Sequence, residues 1–215
     1  MKTKKFQKSL ESIRDKLDIE DEKRDELLRI QRQTIRTSSE AIKSVHRQEF
    51  SEADEKIKNA KKKLEIMRKL VKNTLSLKCW RGVDDAAQEV GEAIITSSII
   101  RDDEIPSIDE CELPDISYLL ALCDVIGEMR RYMLDCFRKD NFTNAQRAFD
   151  YMEYIYSELM TFDYTKMLVG SLRHKIDVCR RLVQSSRSEL INAIQSHELK
   201  KAMKNLEEKL PERNK

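Results

Sequence analysis

An all-α protein is what this sequence predicts, and three observations carry the prediction. Glycine and proline are scarce, at 4 and 3 in 215 residues, 37% of the chain is charged, and apolar residues recur in threes and fours over most of its length. Charged residues in that proportion clothe the outer faces of long helices, while a 40% apolar share is enough to bury a core. The expected architecture is a single elongated bundle of about seven helices over residues 1–215, with an N-terminal extension over 1–20 and a fraying tail over 205–215.

Met1 to Arg81 contains no glycine or proline. Phe6, Leu10, Ile13 and Leu17 make a first helical run; Leu28, Ile35, Ile42 and Val45 continue it; Ala53, Ile57, Ala60, Leu64, Met67 and Val71 follow in a heptad-like rhythm. Two long helices are the natural parse, joined near His46 to Ser51, where Ser51 and Asp54 resemble a capping box. Gly82 interrupts the pattern, and Asp84 is the expected cap of a third helix running to about Ile100. The segment RDDEIPSIDECELPD is the one clear loop, and Asp115 after its second proline is the expected cap of a fourth helix over about 116–138. Leu119, Leu120, Leu122, Cys123, Ile126, Met129, Met133, Leu134 and Phe137 predict that this helix is deeply buried. A fifth helix from about Thr143 presents Phe149, Met152, Tyr156 and Leu159, an aromatic core face. Two more helices are expected, over about 164–187 and 188–210.

Several classes of function drop out early. The N-terminus lacks the apolar run of a signal peptide, and no stretch approaches a membrane span, so a cytoplasmic protein is expected. The five cysteines are odd in number, with no C-x-x-C pair and no zinc spacing, which suits a reducing compartment. His46, His174 and His197 are scattered, and no H-E-x-x-H, E-x-x-H, phosphate loop or G-x-S-x-G turn occurs. Trp80 reads as a core or interface anchor rather than a stacking platform.

The formal net charge of +2 names no partner, but the charges are segregated along the chain. From Lys56 to Arg81 the single acid is Glu65, and from Asp84 to Asp115 the single base is Arg101. Within the acidic span, Asp85, Glu89 and Glu92 share one face of the third helix, and Asp124 and Glu128 stand at i and i+4 on the fourth. Carboxylates gathered among apolar residues raise one another's pKa unless a cation neutralises them. A hard divalent ion, Mg²⁺ or Mn²⁺, suits oxygen ligands from two helices and could activate water against a phosphodiester. Spacing alone is a weak signal that favours solvated or ion-paired carboxylates over a metal site, because acids three and four apart occur on most charged helices.

The stretch AAQEVGEAIITSSII, followed after a loop by DISYLLALCDVIGEMRRYMLDCF, resembles the paired acidic helices of the translin family, in particular its translin-associated factor X branch (TRAX). SSEAIKSVHRQEFSEADEKIKNAKKKL upstream, with its His46-Arg47 pair, and DYMEYIYSELMTFDYTKMLVGSLRHKIDVCRRLV downstream are similar to that family's first and last helices, so the likeness covers about Asp25 to Leu190. It implies an all-α fold of about seven helices, oligomeric shells, binding of single-stranded RNA or DNA, and metal-dependent endoribonuclease activity. By position it makes Glu89, Glu92 and Asp124 the catalytic carboxylates, with Glu128 as a further metal neighbour. The partner chain it implies is a second copy or a translin-like chain.

Phosphates are held mainly by Lys and Arg, and a site that cuts RNA needs basic groups to offset repulsion from its acids. Lys62, Lys69 and Lys72, with Arg130 and Arg131 beside the acids of the fourth helix, are the expected nucleic-acid contacts, although most lysines of the basic run point around the helix as a solvated face would. Two alternatives stand beside the nuclease: a non-catalytic binding protein of the same fold, and a helical scaffold protein.

Overall fold

The computed structural model describes residues 3–72, 74, 77 and 80–209, and among them every regular element of a turn or more is an α-helix. Eight helices follow in order: α1 Thr3–His46, α2 Phe50–Lys72, α3 Gly82–Asp102, α4 Ile108–Cys111, α5 Asp115–Phe137, α6 Phe142–Leu159, α7 Lys166–Val169 and α8 Leu172–Lys209. Contacts divide the chain into two compact units, Met1–Ala121 and Leu122–Lys215, the division falling inside α5. The all-α prediction holds. No described helix is long and apolar enough to cross a membrane.

In the first unit α1, α2 and α3 pack on one another. Leu27, Ile30, Thr34, Ser38, Ala41 and Val45 are the buried seam of α1, at threes and fours, and small residues there let helix axes approach closely. Ala53, Ala60, Leu64 and Met67 answer from α2, while Ala41, Ile42 and Ala93 form a cluster against which Ile57 packs. Phe6, Leu10, Ile13 and Leu17 keep the spacing but none of the burial; all four are exposed.

The first two helices break where the sequence indicates, though by a different device. Gln48 takes a left-handed φ of 63°, its N–H donating to the carbonyl of Val45 (2.8 Å), while Glu49 N–H donates to that of Ser44 (2.9 Å). This pair of bonds is the Schellman closure that glycine usually makes. The Ser51 capping box does not form: α2 starts at Phe50, the Glu49 carbonyl accepts from Ala53 N–H (3.0 Å), and Asp54 pairs with Arg101 on α3 (2.8 Å). Asp84 is not a cap either, since Arg81 is the N-cap of α3 without a side-chain bond. Asp115 falls one place inside α5, whose first turn closes on the Pro114 carbonyl through Tyr118 N–H (2.9 Å).

The acidic loop holds a helical turn that periodicity cannot show, because α4 has only four residues. A capping box makes it: the Ser107 hydroxyl accepts from Glu110 N–H (3.3 Å), and Glu110 accepts from Ser107 N–H (2.6 Å). Glu112, at φ 57°, ends the turn; its carbonyl accepts from Arg68 (2.9 Å) and its carboxylate pairs with Lys61 (3.0 Å). Close packing then fixes Gly91 on α3. A Cβ there would stand 2.5 Å from Leu113 Cδ1 and 2.9 Å from Ala121 Cβ.

In the second unit α6 and α7 pack on α8. Ala145, Ala148, Phe149, Met152, Ile155 and Leu159 are the buried face of α6, so one aromatic, not several, enters its core; Tyr156 is half-buried. Leu172, Ile176, Cys179, Val183, Ser186 and Leu190 answer from α8. The expected break near residue 188 is absent, and one 38-residue helix runs where two were expected. The physical reason lies in the sequence: no glycine or proline stands between Ser171 and Leu210, and the three-four seam continues through Ser186. Residues 205–209 of the expected frayed tail are helical, whereas 210–215, Lys78 and Cys79 lie outside the described residues. Cys111, Cys123, Cys136 and Cys179 are buried free thiols.

Candidate functional site

The third helix holds Glu89 and Glu92 half-buried, framed by the buried Ala86, Val90, Gly91, Ala93 and Ile95. Asp85 is exposed on the same helix. Beside it, burial and the neighbouring Asp85 charge raise the Asp84 pKa, the direction expected where carboxylates crowd.

On α5, Asp124 and Glu128 are half-buried, between the buried Cys123, Val125, Ile126 and Met129. Each has a cation of the protein beside it. The Lys175 ammonium on α8 donates to Asp124 Oδ1, and Glu128 Oε2 lies 3.5 Å from Arg131 one turn on. Among the described residues no group of three or more His, Cys, Asp or Glu side chains is placed to hold a metal ion. A carboxylate already neutralised by an ammonium does not match an open cage for a divalent cation. Lys175 is the residue that sequence reasoning missed, and only the packing of the second unit brings it to Asp124.

Of the two arginines expected to meet nucleic acid, Arg130 is half-buried and paired with Glu189 on α8 at 2.6 Å, while Arg131 is exposed and paired with Glu128. These pairs turn both guanidinium groups toward the chain's own acids.

The lysines of α2 sort into two sets. Lys56 pairs with Glu52 (2.8 Å), Lys61 with Glu112, and Arg68 with Glu65 (2.6 Å), while Lys63 donates to Thr37 (3.2 Å). Lys58, Lys62, Lys69 and Lys72 are exposed, and among the described residues no carboxylate lies within ion-pair distance of them. Lys58, Lys62 and Lys69 line one face of α2 together with the exposed Ile66, along an open groove of about 570 Å³ that Ile57, Lys61, Asp54 and Glu65 complete. The groove's two acids are offset by Arg101 and Arg68. At 1.5 Å per residue the stripe from Lys58 to Lys72 spans about 21 Å. Three of the expected contacts, Lys62, Lys69 and Lys72, thus share one outward stripe, and the sequence signal that adds Lys58 is its place four residues before Lys62.

No family model matches the chain. Its sequence is 31% identical over 191 residues to an uncharacterized protein of Methanocaldococcus jannaschii, covering 87% of this chain and 83% of that one. Among solved structures it is similar to AfC3PO, described in complex with duplex RNA, at 30% identity and a TM-score of 0.78, covering 87% of this chain and 97% of the other. A second AfC3PO crystal structure gives 31% identity over the same shares, with a TM-score of 0.75. The fold is also that of apo-NeC3PO, with a TM-score of 0.77 over 86% of this chain and 96% of the other, at 21% identity. The chain belongs to the C3PO/translin family.

Proposed function

We propose that this protein binds RNA in a translin-like oligomer and that the α2 stripe of Lys58, Lys62, Lys69 and Lys72 is where it meets the phosphate backbone. The observation that carries the reading is the sorting of α2: its inner lysines are engaged by the chain's own acceptors, and its outer ones are left in a row beside an apolar side chain, Ile66. Phosphate neutralisation by such a row supplies most of non-specific affinity, and an aliphatic surface beside it offers contact to an unstacked base. AfC3PO, described in a duplex RNA complex, supports RNA as the polymer.

The finer part of the proposal is cleavage. The resemblance to the TRAX branch assigns endoribonuclease activity to Glu89, Glu92 and Asp124, with Glu128 beside them and Mg²⁺ or Mn²⁺ as the ion, in a homo-oligomer or together with a translin-like chain. For Asp124 to hold such an ion, the Lys175 ammonium would have to give up its contact with that carboxylate.

The test uses the purified protein with labelled single-stranded RNA, single-stranded DNA and duplex RNA, each with and without Mg²⁺, wild type against Glu92→Ala. Binding by both, with cleavage by the wild type alone, is the expected result. Equal cleavage by both proteins overturns the carboxylate assignment, and binding without cleavage by either leaves a non-catalytic RNA-binding protein. Absence of binding overturns the whole reading.

A further inference from the structure

The buried seam of α1 does not stop where its cover stops. Counting back from Val45 in heptad steps gives Ala41, Ser38, Thr34, Gln31 and Leu27, all buried but the half-buried Gln31, then Arg24 and Glu20, then Leu17, Ile13, Leu10 and Phe6. The last four are 59%, 52%, 44% and 63% exposed, and every residue from Thr3 to Ile19 is exposed. Helix α2 has 23 residues against 44 in α1, so it cannot cover the whole length of α1. The overhang begins at about Glu26 and measures about 35 Å at 1.5 Å per residue. Four large apolar side chains stand in one row along it.

Two features of the row identify its occupant. Its spacing is palindromic, since the steps from Phe6 to Leu10 to Ile13 to Leu17 are four, three and four. Laid antiparallel on itself, the row sets Phe6 against Leu17 and Leu10 against Ile13 in every layer, as an isologous two-fold contact requires. Its flanking charge is polar along the axis. Lys4, Lys5, Lys8, Arg14 and Lys16 dominate the first half, and Asp18, Glu20, Asp21, Glu22, Asp25 and Glu26 the second. A parallel pair sets like charge on like, whereas an antiparallel pair lays Lys4 and Lys5 beside Asp18 and Glu20 of the other copy. Glu20 and Arg24, at core positions, end the apolar row and fix its register.

We infer that residues Phe6 to Leu17 dock on the same segment of a second copy of this chain, as a short antiparallel coiled coil. The helix is already formed as an extension of α1, so pairing costs little chain ordering. Removing the row leaves the rest of α1 covered by α2 and α3, because none of its four side chains is part of the core.

The experiment uses the full chain. Leu10→Cys and Ile13→Cys are made separately, then oxidised alone and as a mixture, and the bridged peptides are mapped by mass spectrometry. The expected product is the Leu10→Cys/Ile13→Cys hetero-bridge in the mixture, well above either homo-bridge. Dominant bridging of Leu10→Cys to itself indicates a parallel pair and overturns the proposal. Preferential bridging of Leu10→Cys to a third variant, Met203→Cys, placed on the exposed α8 row of Leu199, Met203 and Leu206, assigns the docking to a different segment and overturns it as well. In parallel, Leu10→Asp/Ile13→Asp is sedimented beside wild type, with helicity followed by circular dichroism. Unchanged helicity with a mass lowered by about twofold, the loss of one isologous contact, is expected; an unchanged mass contradicts the pairing.

Discussion

Lys175 on α8 holds Asp124 on α5 through a direct ammonium–carboxylate contact, and both side chains keep about a quarter of their surface in solvent. The acid that the family resemblance singles out for a metal is thus matched, within the second unit, by a lysine that any divalent cation would have to displace.

That competition is measurable without any reaction. Replacing Lys175 by Met removes the competing charge and leaves a side chain of similar length. Titration calorimetry with Mn²⁺ should show tighter binding than wild type by up to about fivefold, the upper end of what a part-exposed ion pair contributes. Equal affinities would contradict the proposal that Asp124 is a metal ligand.

At Gly91 a methyl group has nowhere to go, because Ala121 Cβ cannot rotate away and Leu113 stands in contact. Gly91→Ala should therefore destabilise the protein by about 1–3 kcal/mol through overpacking, despite the better helix propensity of alanine. Gly127 on α5, where an added Cβ meets nothing within 4 Å, is the internal control: Gly127→Ala should be neutral or stabilising in the same urea melts.

The turn at α4 predicts a pH effect of definite sign. Hydrogen bonds from the Ser107 hydroxyl and backbone N–H hold the Glu110 carboxyl below its ordinary range. A lowered folded-state pKa contributes stability that is full above the unfolded value and is lost as pH falls through the folded one. Ser107→Ala should cost about 1 kcal/mol at neutral pH, and the gap from wild type should narrow in acid. A gap that widens in acid would contradict the capping box.

Helix α8 makes a test of continuity possible at an exposed position. Ser188→Pro lies between the buried Ser186 and Leu190 and removes a hydrogen bond in mid-helix, so it should cost about 3 kcal/mol or more. Tolerance of proline there would restore the two-helix parse that sequence reading favours.

That misreading shows what the sequence makes legible and what it leaves out. Long elements follow from apolar spacing and from glycine and proline, and α1, α2, α3, α5 and α6 fall close to where they are expected. Boundaries set by single residues do not, because Gln48 closes α1 in a conformation that glycine usually takes, and a box at Ser107 makes a helix too short for any period. Exposure is equally hidden: Phe6 and Leu27 carry the same spacing, and only the length of α2 separates them. At the candidate site the acids could be named from spacing and resemblance, but their partners could not. Lys175 lies 51 residues from Asp124 and Glu189 lies 59 from Arg130, so each pairing is a product of packing.

The lysines of α2 give the most direct test of the account. Binding of single-stranded RNA is followed by fluorescence anisotropy at stepped salt for wild type and for Lys58→Ala/Lys62→Ala/Lys69→Ala. Each lost phosphate contact lowers the slope of log affinity against log salt by about 0.7 on a single strand. Weaker binding with a slope reduced by about 2 is the predicted result, and the same affinity and slope in both proteins would contradict a nucleic-acid interface on this face.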